Sequence, residues 1–251
     1  MSGLASITTG RQVEPRKILL YGVHGIGKTT FGACAPNPIF LPTEEGTNDL
    51  DVARFPLATS AGQLMSNVTS LYNEEHDFKT VVVDSADWAE RLFWAQVCRE
   101  KSVNSIEEIG YGGGYKLALA HWDKFLAGLD ALRKKRGMQV ILLAHAAITP
   151  FNNPDGENYD RYAPRLHRHA SAVLQEWADE VLFATYKTYT RSADAGFGKK
   201  EAKGIGSGER VIKTTELPAW NAKNRLQGIP DEIPLAYAEY AKYLPQNKDN
   251  F

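Results

Sequence analysis

Cysteine is nearly absent: the chain of 251 residues holds two, Cys34 and Cys98. At that number and spacing they exclude a disulfide framework and a thiolate metal site, and they are expected to be buried small apolar residues in a reduced compartment. An excess of one charge is also missing. Lysine and arginine number 29 against 30 aspartate and glutamate, so no global basic field attracts a polyanion and any nucleic-acid contact has to be local. No apolar run approaches the roughly 20 residues of a membrane helix. The first residues, Met1-Ser-Gly-Leu-Ala-Ser-Ile-Thr-Thr9, lack the regions of a signal peptide. These absences together predict a soluble, cytoplasmic protein with no membrane partner. No internal repeat is visible.

What is present is 43% hydrophobic residues, enough for one large α/β domain. Residues 1–15 are small and polar and end at Pro15, which predicts a flexible arm. The domain is expected over 16–244 and a tail over 245–251.

The chain is organised around Gly22-Val-His24-Gly25-Ile26-Gly27-Lys28-Thr29-Thr30, which follows the apolar run Ile18 to Tyr21. It matches the phosphate-binding pattern G-x-x-x-x-G-K-[ST] in strand, loop and helix context. Glycines let backbone N–H groups turn inward around phosphate oxygens, and the helix that follows turns its positive end to the same anion. The pattern predicts that Lys28 reaches the β- and γ-phosphates of a nucleoside triphosphate and that the Thr29 hydroxyl ligates magnesium.

Downstream, strand and helix signals alternate. Strands are expected at Lys17–Tyr21, Ile39–Leu41, Phe78–Val83, Met138–Ala144 and Val181–Thr190, the last pairing with Arg210–Leu217 as a hairpin. Helices are expected at Lys28–Cys34, Ala61–Leu71, on the stripe Trp88, Leu92, Ala95 and Cys98, at Lys116–Arg136, near Ser171–Trp177 and at Leu235–Leu244. Thr149–His169 reads as a long polar loop and Gly196–Gly208 as a flexible basic tip. This rhythm predicts a mostly parallel sheet with helices on both faces, whose ligands gather at the carboxyl ends of strands. There stand the phosphate loop, Glu44 and Glu45, Asp84 and His145. Asp84 is the natural second magnesium anchor, through water. Ser85 follows Asp84, so the carboxylate that polarises the attacking water is expected from the neighbouring strand end, at Glu44 or Glu45. His145 is placed to sense the γ-phosphate.

The phosphate loop, the carboxylate after the second strand, the Asp84-Ser85 ending and a polar residue at 145 resemble the RecA-like recombinase core. Ala222-Lys223-Asn224-Arg225 resembles the Lys-Asn-Arg motif of RadA-type proteins. Phe40-Leu-Pro-Thr-Glu44-Glu-Gly46, Tyr111-Gly-Gly-Gly114 and Ala144-His145 look like the short RecA-like ATPases of bacteriophages that promote single-strand annealing. The resemblance covers about Arg16 to Leu244. It implies a P-loop NTPase sheet with the sensor strand beside the phosphate-loop strand, a C-terminal β-hairpin, Glu44 as catalytic carboxylate, and ATP with Mg2+ between subunits of a filament or ring. There Lys223 and Arg225 would reach a neighbour's nucleotide. It further implies single-stranded DNA against Ser102–Tyr115 and Thr149–His169, where Arg161, Arg165 and Arg168 would meet phosphates and Tyr159 and Tyr162 would stack on bases. Glutamine is usual where His145 stands, and with about fifteen residues before the first strand no separate amino-terminal oligomerisation domain is expected, which favours annealing over strand invasion and leaves open a single-strand-binding protein as partner. Two rivals stand beside it: a small-molecule kinase with the three arginines in a lid, and a nucleotide-gated assembly protein without turnover.

Overall fold

The computed structural model describes residues 3–10, 13–194 and 200–245. The strands are β1 (Lys17–Gly22), β2 (Pro38–Pro42), β3 (Ala53–Arg54), β4 (Thr80–Asp84), β5 (Gln139–Phe151), β6 (Tyr159–Pro164), β7 (Glu180–Asp194), β8 (Lys200–Lys213) and β9 (Glu232–Pro234). The helices are α1 (Lys28–Ala33), α2 (Ala61–Asn73), α3 (Ala86–Lys101), α4 (Gly113–Arg136), α5 (Arg168–Trp177) and α6 (Tyr237–Ala241). In the sheet the order is β3-β2-β4-β5-β1-β7-β8-β9, with β6 paired to β5. From β3 to β7 every neighbouring pair is parallel; β8, β9 and β6 run antiparallel to their partners. This is the expected α/β sheet, with β5 lying between β4 and β1 and the hairpin β7–β8 toward the carboxyl end.

Period-two alternation divides the core into two layers. Leu19, Tyr21, Val81, Val83, Val140 and Leu142 pack under α2, α3, α4 and α5. Ile18, Leu20, Val82, Ile141 and Leu143 meet Phe31 of α1 and Tyr237 and Tyr240 of α6. Because both faces are covered, these strands read as continuous apolar runs. At α2, Ser60 accepts a hydrogen bond from the Gln63 N–H at 3.1 Å, the side-chain cap that fixes where that helix begins.

Several expectations are corrected. The stretch 149–169 is no loose loop. β5 runs on through His145 to Phe151 and pairs with β6 in the register Ile148↔Tyr162 and Phe151↔Tyr159, and Arg168 already opens α5. Asn153-Pro-Asp-Gly156 makes the turn, in which the Asn153 side chain accepts from the Asp155 N–H at 3.1 Å. In α3 the buried stripe is Ala86, Ala89, Phe93 and Val97 together with Asp87 and Glu90, not Trp88, Leu92, Ala95 and Cys98. Cys34 is exposed and Cys98 half-buried, so neither is a core residue. Of the expected basic tip, 195–199 lie outside the described residues, and Lys200 to Gly208 belong to β8. The closing helix is shorter than expected, since β9 and its following turn take up the chain as far as Ala236. Residues 246–251 of the expected tail, and 1, 2, 11 and 12 of the arm, also lie outside the described residues.

Candidate nucleotide site

β1 ends at Gly22, and only glycine fits there: a Cβ would stand 2.4 Å from the Ala184 carbonyl oxygen of β7. The loop then curls back on itself. Gly27, the residue before α1, has φ 111°, a left-handed conformation that L side chains avoid. Ile26 between them is fully buried and staples the loop to the core. The Lys28 amine donates to the carbonyls of Gly22 at 3.0 Å and Val23 at 2.9 Å. Burial lowers its pKa, while Asp84, Asp87 and Glu44 pull the other way.

The expected partners converge on this loop. His24, Gly25, Gly27, Lys28, Thr29, Thr30, Glu44, Glu45, Asp84 and His145 line a single cavity of about 470 Å³, a size that accommodates a nucleotide. The Thr29 hydroxyl donates to Asp84 at 2.9 Å. Burial pushes the Asp84 carboxyl up to about 6 against that hydrogen bond, with the Glu44 charge adding to the rise. A hydroxyl and a carboxylate side by side are hard oxygen donors suited to Mg2+, with phosphate and water completing the shell. No cluster of three or more His, Cys, Asp or Glu among the described residues makes a self-sufficient metal site.

Glu44 is positioned by the chain around it. Thr43 and Ser85 exchange hydrogen bonds, Thr43 Oγ1 donating to the Ser85 carbonyl at 2.6 Å and accepting from the Ser85 N–H at 2.7 Å. The Thr43 N–H donates to the Asp84 carbonyl at 2.7 Å. This clamp sets Glu44 beside the end of β4. Its carboxylate lies 3.8 Å from the His145 ring, whereas Glu45 is exposed.

Sequence reasoning missed Asp87, which is buried behind His145. It accepts from the His145 backbone N–H at 3.0 Å, lies 3.1 Å from His145 Nδ1 through both carboxylate oxygens, and accepts from the Arg165 guanidinium at 2.6 Å. Burial alone would raise its pKa; the bonds from His145 and Arg165 overcome that and hold it well below the usual carboxylate range. An ionised carboxylate only accepts, so Nδ1 carries the proton and Nε2 is left without a protein partner among the described residues. His145 is thus joined through Asp87 to Arg165 on the adjoining hairpin. A periodicity reading discards an acid on a buried helical stripe, and no other local signal marks it.

The remaining candidates lie elsewhere. Arg161 pairs with Glu216 at 2.6 Å. Tyr159 packs on Phe151 and Tyr162 on Phe183, each with ring centroids 5.0 Å apart. Arg168 is exposed at the start of α5, and Tyr111 is fully exposed just before α4. Lys223 donates to the carbonyls of Gln175 and Glu176 at the end of α5. Arg225 pairs with Asp179 at 3.3 Å, and Asp179 also accepts from the Lys17 N–H at 3.1 Å. That places Arg225 at the amino end of β1, about 20 Å of strand away from its own phosphate loop.

Beneath the hairpin, Glu90 carries a pH signature. Its carboxylate accepts from the His167 N–H at 2.9 Å, yet burial outweighs this and pushes its pKa up to about 7. A carboxyl raised above its unfolded value lowers stability as pH rises: the penalty is small below about 4.5, grows up to pH 7 and is constant beyond. Glu90→Gln is therefore expected to reduce the loss of unfolding free energy between pH 5 and pH 8 by about 2 kcal/mol. Urea unfolding of both proteins at the two pH values measures this, and equal pH dependence would contradict it.

Fold and side chains together define a P-loop nucleotide-binding protein. The chain belongs to the AAA domain family, whose model matches residues 14–226. It is similar, at 27% identity over 239 residues, to the SPbeta prophage-derived uncharacterized protein YorG of Bacillus subtilis (strain 168), covering 90% of this chain and 64% of that protein. It thus spans a little under two thirds of that relative's length. The crystal structure of the RadB recombinase is similar at 16% identity, covering 80% of each chain with a TM-score of 0.45.

Proposed function

We propose that this protein is a Mg2+-dependent ATPase of phage recombination that works on single-stranded DNA, with strand annealing as the outcome. The observation that carries the ATPase reading is the meeting, in one cavity, of Lys28, Thr29 and Asp84 with Glu44 and His145. Lys28 exchanges its loop carbonyls for the β- and γ-phosphates. Glu44 orients the attacking water and takes its proton. His145, its tautomer held by Asp87, accepts at Nε2 from that water. Magnesium, when bound at Thr29 and Asp84, neutralises charge on the phosphate oxygens.

The DNA reading is supported by continuity: His145 lies within β5, the strand that becomes the β5–β6 hairpin, and Arg165 ties the hairpin back to Asp87. A change at the γ-phosphate is thereby felt by the hairpin. Among the sequence candidates, Arg168 is exposed and can meet phosphate, and Tyr111 offers an open stacking face within Ser102–Tyr115. Arg161, Tyr159 and Tyr162 would have to leave their present partners first. Arg165 committed to Asp87 also weakens the alternative of a lid-type kinase. Lys223 and Arg225, remote from their own loop, would serve a neighbour's nucleotide in a filament or ring. A prophage-derived relative supports the phage setting.

The test is ATP turnover across protein concentration with and without single-stranded DNA. Turnover per protomer is expected to rise with concentration and by at least about tenfold with DNA, the scale of a cation completing a phosphoryl-transfer site. Turnover indifferent to both would leave an ATPase that does not act on DNA.

A further inference from the structure

The phosphate loop is approached from two sides. Glu44, Asp84 and His145 come from β2, β4 and β5, on one side of β1 in the sheet order, while β7 and β8 lie on the other. From β8 comes Arg210, which pairs with Tyr186 of β7 and whose carbonyl accepts from the Leu235 N–H at 2.9 Å. Its Nη1 lies 3.4 Å from where a Cβ on Gly27 would stand. It lines the same cavity as Gly27, Lys28, Thr29 and Thr30. Its guanidinium has no hydrogen bond or ion pair among the described residues. Of the two carboxylates in the neighbouring groove, Glu232 is taken by Lys187 at 3.0 Å and by Lys213, and Glu209 is not free either.

A guanidinium left unpaired at a phosphate-binding loop is suited to a planar, charged acceptor. A triphosphate lying along the loop with its reacting end toward Glu44 and His145 turns its other end toward β8.

We propose that Arg210 is a nucleotide-binding residue acting within its own chain, at the α-phosphate and nucleoside end of the ligand. The inference rests on the ATP reading above. It gives each protomer a cation of its own for ground-state binding, whereas Lys223 and Arg225 would act only after assembly. It also implies that ADP is held as firmly by this residue as ATP.

The test is calorimetric titration of the full chain, wild type and Arg210→Ala, with Mg-ADP and with a non-hydrolysable Mg-ATP analogue, and Arg210→Lys as the conservative variant. Loss of one partly exposed charge-assisted contact is expected to weaken both ligands by the same factor, about 5- to 30-fold, with lysine recovering part of it. Circular dichroism melts check that the variants are folded, and lysine keeps the test open should alanine fail to fold. Unchanged affinity for both ligands would overturn the inference. A loss confined to the triphosphate analogue would also overturn it, by placing Arg210 at the γ-phosphate. A wild-type protein that binds neither nucleotide would overturn the ATP reading, and this assignment with it.

Discussion

Replacing Glu44 by glutamine is expected to lower steady-state ATP turnover by about 10²- to 10⁴-fold, the contribution typical of a positioned general base, while nucleotide binding survives. The amide keeps the size and one acceptor of the carboxylate but takes no proton. The expectation is sharp because the position is constrained. Thr43 locks the start of this turn to Ser85 through reciprocal hydrogen bonds, and the carboxylate stands 3.8 Å from the His145 ring. The variant should therefore hold ATP without consuming it, and trapped nucleotide can be counted after rapid gel filtration. Glu45 supplies the control. It lines the rim of the same cavity but is exposed, so Glu45→Gln should stay within a few-fold of wild type. A Glu44→Gln protein that keeps more than a tenth of the turnover would remove Glu44 from the chemistry.

Lys28→Ala is expected to weaken ATP and ADP binding by about 10²-fold or more, from the charge-assisted hydrogen bonds that one ammonium makes to phosphate. The amine is buried and held on the Gly22 and Val23 carbonyls. That arrangement keeps it pointed along the loop before any ligand arrives, so little ordering entropy opposes binding. Equilibrium titration measures the loss, and an apo thermal midpoint measured alongside separates it from unfolding. Affinity retained within threefold would mean that this loop is a glycine turn without a nucleotide.

The two expectations differ in how far each was legible. The Lys28 site is written in consecutive residues: Gly25 and Gly27 act through their own backbone conformations, and the Lys28 side chain begins inside the motif. The role of Glu44 needed more, because proximity to Asp84 and His145 is a matter of strand order, and sequence alone left Glu45 equally eligible. Continuous apolar runs in β1, β4 and β5 made the central sheet readable. The β5–β6 hairpin was not, because its Asn153-Pro-Asp-Gly156 turn and its cross-strand pair Phe151–Tyr159 sit among charges that resemble a solvated loop. α3 was read on the wrong stripe for the opposite reason. Its buried face includes Asp87 and Glu90, which satisfy His145, Arg165 and His167, and an acid on a buried stripe is invisible to a count of apolar residues.

By itself the sequence determined the phosphate loop, the run of parallel strands and the residue types waiting at their ends, because backbone torsion preferences and unbroken apolar runs act over a few neighbouring positions. Tertiary structure alone decided which of those side chains meet. Asp87 reaches His145 across 58 residues of chain, Arg210 is brought to Gly27 from a strand on the far side of β7, and Lys223 and Arg225 are carried to the opposite end of β1. Such encounters follow from strand order and crossover, and contacts of that range leave no periodic trace along the chain.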